Sequence, residues 1–233
     1  SAGNTGALLI LSRMILNMID KVEKPALAGL WPNKNGMNLV LDLGANIECN
    51  EKNLIDFSCM GAALYKSLYP ELDPKVALLN VGSEEIKGNE IIKKAYQELK
   101  KNKKNYFIFE GYIEGNNIMD GKVNVIVTDG FTGNIALKTA EGTANFIVNT
   151  LKENLMSNFF SKMASLFMYK ALKNFRNKLD PRKYNGAILL GLNGTVVKSH
   201  GSTDVTGLAY SIRMSNKIVK NRLVEKIKKN LIS

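Results

Sequence analysis

Glycine, asparagine, threonine and a single histidine are the residues of this chain best suited to chemistry on an anion. Three runs gather them: Ser1-Ala2-Gly3-Asn4-Thr5-Gly6-Ala7, Asp129-Gly130-Phe131-Thr132-Gly133-Asn134 and Lys198-Ser199-His200-Gly201-Ser202. The first two share the pattern Gly-x-Thr-Gly opening onto a helical apolar period. A helix start presents unpaired backbone N–H groups and the positive end of the helix dipole, so it binds anions without a cationic side chain. The three runs together predict one anion site assembled from distant parts of the chain, which makes an enzyme handling phosphate the leading expectation.

Alternating elements position these runs. Thr5 to Asp20 has helical spacing, and a loop rich in Pro, Gly and Asn leads to the buried-strand pattern Met37 to Gly44. Asn53 to Tyr69 reads as a helix stopped by Pro70, and Lys75 to Val81 as a strand closing on Gly82. Glu90 to Lys101 is a helix, Tyr106 to Phe109 a strand, and Val123 to Thr128 a strand running into Asp129-Gly130. The order strand, glycine turn, helix predicts an α/β fold with a mostly parallel sheet. In such sheets ligands sit beyond the carboxyl ends of the strands. Three loops occupy that position: Asp42-Leu43-Gly44-Ala45-Asn46, Asn80-Val81-Gly82-Ser83-Glu84-Glu85 and Asp129 to Asn134. One such loop is ordinarily a tight turn, but three at equivalent places favour a site.

Leu151 to Lys178 differs from the rest. Leu155, Met156, Phe159, Phe160, Met163, Leu166, Phe167, Ala171 and Phe175 form an apolar stripe with Lys162 and Lys173 between them. This predicts a basic amphipathic helix, an insertion over residues 151–180. It fits a core or dimer helix, or a surface that lies on an anionic membrane or grips an acidic partner. Asp180-Pro181 breaks it, a strand-and-glycine segment from Gly186 to Gly194 follows, and the chain finishes as one long helix.

The net charge is +11. The segments 151–178 and 216–233 each hold six cationic residues against one anionic, so they account for ten of those charges. The C-terminal segment lacks aromatic residues among its cations, which argues against nucleic acid. Cys49 and Cys59 have no metal-ligand spacing and read as reduced thiols of a cytosolic protein. The run from Ala7 to Ile19 is broken by Ser12, Arg13 and Asn17, so it does not predict a membrane span.

The runs at 1–7, 42–46, 80–88, 129–134 and 198–202, in that order over nearly the whole chain, closely resemble the PlsX family of bacterial phosphate acyltransferases. The resemblance implies a Rossmann-like three-layer sandwich of the isocitrate/isopropylmalate dehydrogenase-like type, a homodimer, and no metal or nicotinamide cofactor. Family members carry an additional N-terminal stretch, so a chain opening at Ser1 is expected to be a truncated single α/β domain. The implied reaction moves a long-chain fatty acyl group from acyl carrier protein to orthophosphate, giving acyl phosphate for phospholipid synthesis. A short-chain phosphotransacetylase, or a noncatalytic module binding carrier protein or membrane, is the alternative.

Phosphate is already an anion at neutral pH, so the protein must supply position and donors for the tetrahedral oxyanion rather than create a nucleophile. Backbone N–H groups around Gly3, Asn4, Thr5 and Gly6, and around Thr132, Gly133 and Asn134, fit such a cradle. Lys87 and Lys198 are candidate clamps. His200 is suited to protonate the departing thiolate or to bond phosphate, and equally to tie its own loop. Asp42 is a candidate for orienting Lys or His, or for capping, and Asp129 for capping. With an acidic carrier protein and an anionic membrane as partners, Phe159, Phe160, Met163, Phe167, Lys162 and Lys173 become a docking surface for a cytoplasmic, peripherally membrane-associated protein.

Overall fold

The computed structural model describes residues 1–101, 106–178, 186–201 and 203–231, with the side chains of 162, 164–166 and 174–178 outside that description. The chain divides into two compact units, one of Ser1–Asn134 with Arg182–Ser233 and one of Ile135–Pro181.

The first unit begins with α1 (Thr5–Leu16), β1 (Ala26–Asn33), β2 (Gly36–Leu41), α2 (Glu51–Leu68) and β3 (Lys75–Asn80). It continues with α3 (Glu90–Lys101), β4 (Ile108–Glu114), a 3-10 turn (Gly115–Asp120) and β5 (Val125–Val127). After α4 (Gly130–Leu155) has carried the chain into the second unit, β6 (Ala187–Leu190), β7 (Val196–Lys198), α7 (Val205–Lys220) and α8 (Leu223–Leu231) complete it.

Seven strands form one sheet in the order β4-β3-β5-β2-β1-β6-β7. The ladders β3–β4, β3–β5 and β2–β5 are parallel, whereas β1–β2, β1–β6 and β6–β7 are antiparallel. Only β1 and β7 therefore oppose the other five strands. Strand β1 occupies the stretch expected to be a loop. Its Pro32 lies beyond Ala26–Ala28, the residues paired to β6, so the missing N–H faces no second ladder there. Asn33 closes the hairpin by accepting a hydrogen bond from Asn35 N at 2.8 Å.

Side chains alternate across a strand. Leu39, Leu41, Val76, Leu78, Val125 and Val127 point into the core shared with α2, where Phe57, Met60 and Leu64 are fully buried. Helix α2 starts at a reciprocal capping box between Asn50 and Asn53 and presses its Gly61 onto the sheet. A Cβ on Gly61 would lie 2.6 Å from Val125 Cγ1. On the opposite face, Leu8 and Leu9 of α1 share a small cleft with Leu27 and Leu189.

The single C-terminal helix expected from sequence is two. Arg222 adopts φ 52° and Asn221 Nδ2 donates to Ser67 O at 2.6 Å. The resulting turn lets α8 bury Leu223 and Ile227 against the core, which a straight helix would carry past it.

In the second unit the expected single amphipathic helix is likewise divided, into the end of α4, α5 (Phe159–Phe167) and α6 (Tyr169–Lys178). Asn158 is the cause, because its side chain accepts from Ser161 N at 2.8 Å and starts a new helix. Asp180 and Pro181, expected to break the helix, lie outside the described residues.

Candidate active site

Strands β3, β5 and β2 are neighbours and parallel, with Leu78, Val127 and Leu41 level in the ladders. Their following loops, at 80–88, 128–134 and 42–46, therefore leave the same edge of the sheet side by side, as the sequence pattern predicts.

Asp42 anchors the middle of this edge. Its buried carboxylate accepts from Leu27 N at 3.0 Å, Gly44 N at 3.1 Å and Ala45 N at 2.9 Å through Oδ1. Oδ2 accepts from Asn46 N and from Asn46 Nδ2, each at 2.7 Å. Burial pushes the carboxyl above its usual range, while the bonds from Ala45, Leu27 and Asn46 oppose that shift. With five donors in place, this group positions the loop and has no lone pair directed at a substrate.

The start of α4 packs directly on that loop. Gly130 N donates to Asn46 O at 2.8 Å, and Asn134 Nδ2 donates to Leu43 O at 3.2 Å. A Cβ on Gly133 would stand 1.9 Å from Asp42 O, so only glycine permits this approach. Asp129 caps the helix, accepting from Thr132 N at 2.8 Å and Thr132 Oγ1 at 2.9 Å, while its carbonyl takes Gly133 N at 3.0 Å. The α4 amides at 130, 132 and 133 thus already have partners inside the protein.

The other helix start is more open. Asn4 caps α1 by accepting from Ala7 N at 3.1 Å, and its carbonyl accepts from Leu8 N at 3.0 Å. Helix geometry gives the amides of Thr5 and Gly6 no partner within α1. Gly3 N donates to Ser1 Oγ at 3.3 Å.

The run at 198–201 lies against this turn although nearly 200 positions away in sequence. Ser1 N donates to Val197 O at 3.0 Å, Ser199 N donates to Ser1 O at 2.6 Å, and a Cβ on Gly201 would be 3.5 Å from Ala2 O. Thr5, Ala45 and Lys198 edge the small apolar crevice that Leu8, Leu9, Leu27 and Leu189 line, which brings the first run, the Asp42 loop and the last run near one another. His200 is exposed two residues along, and its carbonyl accepts from Thr203 N at 3.1 Å.

Lys87 is on the other flank. Strand β3 lies two positions to one side of β2, whereas Lys198 ends β7, three positions to the other side and antiparallel to β2, level with Ala187 at the start of β6. The Lys87 loop is pinned through Asn80 Nδ2, which donates to Lys87 O at 3.1 Å. It is also pinned through Glu85 Oε1, which accepts from Tyr96 OH at 2.7 Å and Lys100 Nζ at 2.5 Å. Sequence reasoning named Asn46 and Glu85 only as members of their loops and passed over Tyr96. The side-chain amide of Asn46 bridges Pro25 O and Asp42, and only the position of Asn46 within its run signalled that.

In the second unit Phe159, Phe160, Met163 and Phe167 are exposed, and Lys173 Nζ stands 5.8 Å from the Tyr169 ring. The side chain of Lys162 lies outside the described residues. Among the described residues no helix is long and apolar enough to cross a membrane.

The mixed α/β fold has phosphotransacylases among its structural neighbours. The fold is similar to the EutD phosphotransacetylase from Staphylococcus aureus, with a TM-score of 0.58 at 16% identity over 96% of this chain and 60% of that one. It is also similar to a branched-chain phosphotransacylase from Enterococcus faecalis V583, with a TM-score of 0.53 at 14% identity over 93% of this chain and 72% of that one.

Sequence is more specific. Residues 1–226 match the family described as fatty acid synthesis protein. The chain is 60% identical to the phosphate acyltransferase of Pelagibacter ubique (strain HTCC1062) over 231 residues, 99% of this chain and 69% of that protein. It is 46% identical to that of Caulobacter vibrioides, covering 99% of this chain and 64% of the relative. The chain belongs to this family, the PlsX family of phosphate acyltransferases indicated by its five motifs.

Proposed function

We propose that this chain transfers a long-chain fatty acyl group from acyl carrier protein to orthophosphate. The observation that carries the reading is the docking of the 197–201 run on the open start of α1, through Ser1 N to Val197 O at 3.0 Å and Ser199 N to Ser1 O at 2.6 Å. The amides of Thr5 and Gly6, with Lys198 beside them, hold phosphate by dipole, hydrogen bond and charge. A phosphate oxygen attacks the thioester carbonyl, the tetrahedral oxyanion collapses, and the carbon–sulfur bond breaks. His200 gives its proton to the departing sulfur. Lys87, reaching from the other flank, steadies the oxyanion. Asp42 acts on this chemistry through the loop it holds, and Thr132, Gly133 and Asn134 act through their packing on that loop.

The exposed Phe159, Phe160, Met163 and Phe167, with Lys173, suit an anionic membrane surface. A cytoplasmic, peripherally attached homodimer with the sheet type of isocitrate and isopropylmalate dehydrogenases completes this reading, on the strength of the five motifs.

The test is release of carrier thiol from palmitoyl acyl carrier protein with and without orthophosphate, by this chain and by a version extended to the length of its relatives. Phosphate-dependent release, with phosphate raising the unfolding temperature, is expected. Phosphate-independent behaviour of both versions refutes the proposal. Equal turnover of acetyl and palmitoyl donors favours a short-chain phosphotransacetylase.

A further inference from the structure

The loop between β3 and α3 is fixed at both ends by asparagine. Asn80, buried at the end of β3, donates to Lys87 O at 3.1 Å, and Asn89 caps α3 by accepting from Ile92 N at 2.9 Å. Between them residues 83–87 are exposed. Lys87 N donates to Glu84 O at 3.0 Å, and a Cβ on Gly82 would lie 2.9 Å from Lys87 Cγ. The loop therefore folds back and rests the stem of Lys87 on Gly82, two residues beyond the end of β3.

Glu85 ties this exposed stretch to a neighbouring element. Tyr96 and Lys100 stand one turn apart on one face of α3, and both donate to Glu85 Oε1. Tyr96 is a firm post: it is buried, its ring centre lies 4.6 Å from that of Tyr112 and 5.5 Å from that of Phe109, both on β4, and Lys100 Nζ stands 5.4 Å from the same ring. Hydrogen bonds from Lys100 and Tyr96 hold the Glu85 carboxyl below its usual range, so it is ionised at neutral pH. One packed donor and one cationic donor on a single carboxylate oxygen make a latch between loop and helix.

We propose that Tyr96 and Lys100 are positioning residues that, through Glu85, hold the Lys87 loop in its folded-back form at the end of β3. The consequence for turnover rests on the acyl-to-phosphate reading above, in which Lys87 steadies the oxyanion. An ammonium on a long stem serves that purpose only when its backbone is held in place, because preorganisation rather than charge alone lowers the barrier. The Lys100–Glu85 pair is half exposed and adds little to global stability. Its loss is therefore felt in the loop and in turnover rather than in the unfolding temperature.

The test uses Tyr96→Phe and Glu85→Gln, with Lys101→Met as a control that removes the 3.1 Å pair to Glu98 from the same helix. One measurement is the rate of trypsin cleavage after Lys87 in this chain, read by mass spectrometry, which follows loop opening and needs no turnover. The other is phosphate-dependent thiol release by the version extended to the length of its relatives, with each substitution alone and combined with Lys87→Ala. Both latch variants are expected to be cut about tenfold faster, to lose about tenfold in kcat and kcat/KM alike, and to unfold at the parent temperature. In the Lys87→Ala background the same substitutions should change kcat by under about twofold. Lys101→Met should match the parent in both measurements. Unchanged cleavage of both variants overturns the latch. A loss of kcat equally large without Lys87, or no loss with it, overturns the positioning role. Faster cleavage, in a protein without phosphate-dependent thiol release, would retain the latch and reject the reaction.

Discussion

Substituting Gly133 by alanine puts the packing of α4 on the Asp42 loop to a direct test. A methyl group there would sit 1.9 Å from Asp42 O, against the 3.0 Å that side-chain carbons keep from other atoms, so something must move by more than 1 Å. Asp42 is poorly able to yield, because its amide donates to Thr128 O at 2.9 Å while its carboxylate holds five donors. Overpacking of this kind costs about 1–3 kcal/mol, and the strained Asp42 bonds add to it, while alanine returns about 1 kcal/mol of helix propensity. A net loss of about 2 kcal/mol lowers the unfolding temperature by roughly 4–8 °C in a chain of this size. Gly142 lies in the same helix with nothing within 4 Å of its absent Cβ. Gly142→Ala is therefore expected to gain about 0.5–1 kcal/mol, giving opposite signs for one chemical change in one helix. Urea unfolding followed by the fluorescence of Trp31, the only tryptophan and a buried one in the first unit, and by far-UV circular dichroism measures both. A Gly133→Ala protein as stable as the parent would show that the close approach is not what fixes α4.

Asp42→Ala leaves five donors facing a void and is expected to cost about 3–5 kcal/mol, read as a fall in urea midpoint. His200→Ala should slow phosphate-dependent thiol release by about 10²-fold or more with little change in unfolding temperature, and an unaltered rate would remove the general acid. Burial pushes the Cys59 thiol up to about 12 and that of Cys49 up to about 11, so neither should react with iodoacetamide at about pH 8 until the chain is unfolded in urea. The raised Cys59 value also gives a sign: its contribution to stability is complete below about pH 9 and is lost as pH rises through about 12, a fall that Cys59→Ala should lack. Phe159→Glu with Phe167→Glu, both exposed, should abolish co-sedimentation with anionic vesicles while leaving the unfolding temperature unchanged; continued binding would end the membrane assignment.

Sequence periodicity located most of the central sheet, because β2, β3 and β5 are buried on both faces and stand out as apolar runs. Glu90–Lys101 carries a strong amphipathic period, and its helix matches its expected bounds. Strand β1 escaped because Ala26, Ala28, Gly29, Pro32 and Asn33 look like a loop; its pairing is imposed by β2 and β6 from outside the segment. The breaks at Asn158 and Asn221 rest on single side-chain hydrogen bonds, which no period reveals. At the site, the three strand-end loops were legible from glycine after apolar runs. That the α4 amides are taken by Asp129 and Asn46 was not, since a capped and an open helix start have the same composition.

The pairing of Ser1 with Val197 and Ser199, and of β1 with β6, sets an order of events during synthesis. The β1–β2 hairpin leaves the ribosome early, yet the far side of β1 has no partner until residues 187–190 have been made. For that interval a bare strand edge is available to another nascent chain. The contact of the 197–201 run with the start of α1 forms last, because it needs residues from both ends of this segment, so a stalled ribosome would release a chain with much of its sheet and without that contact.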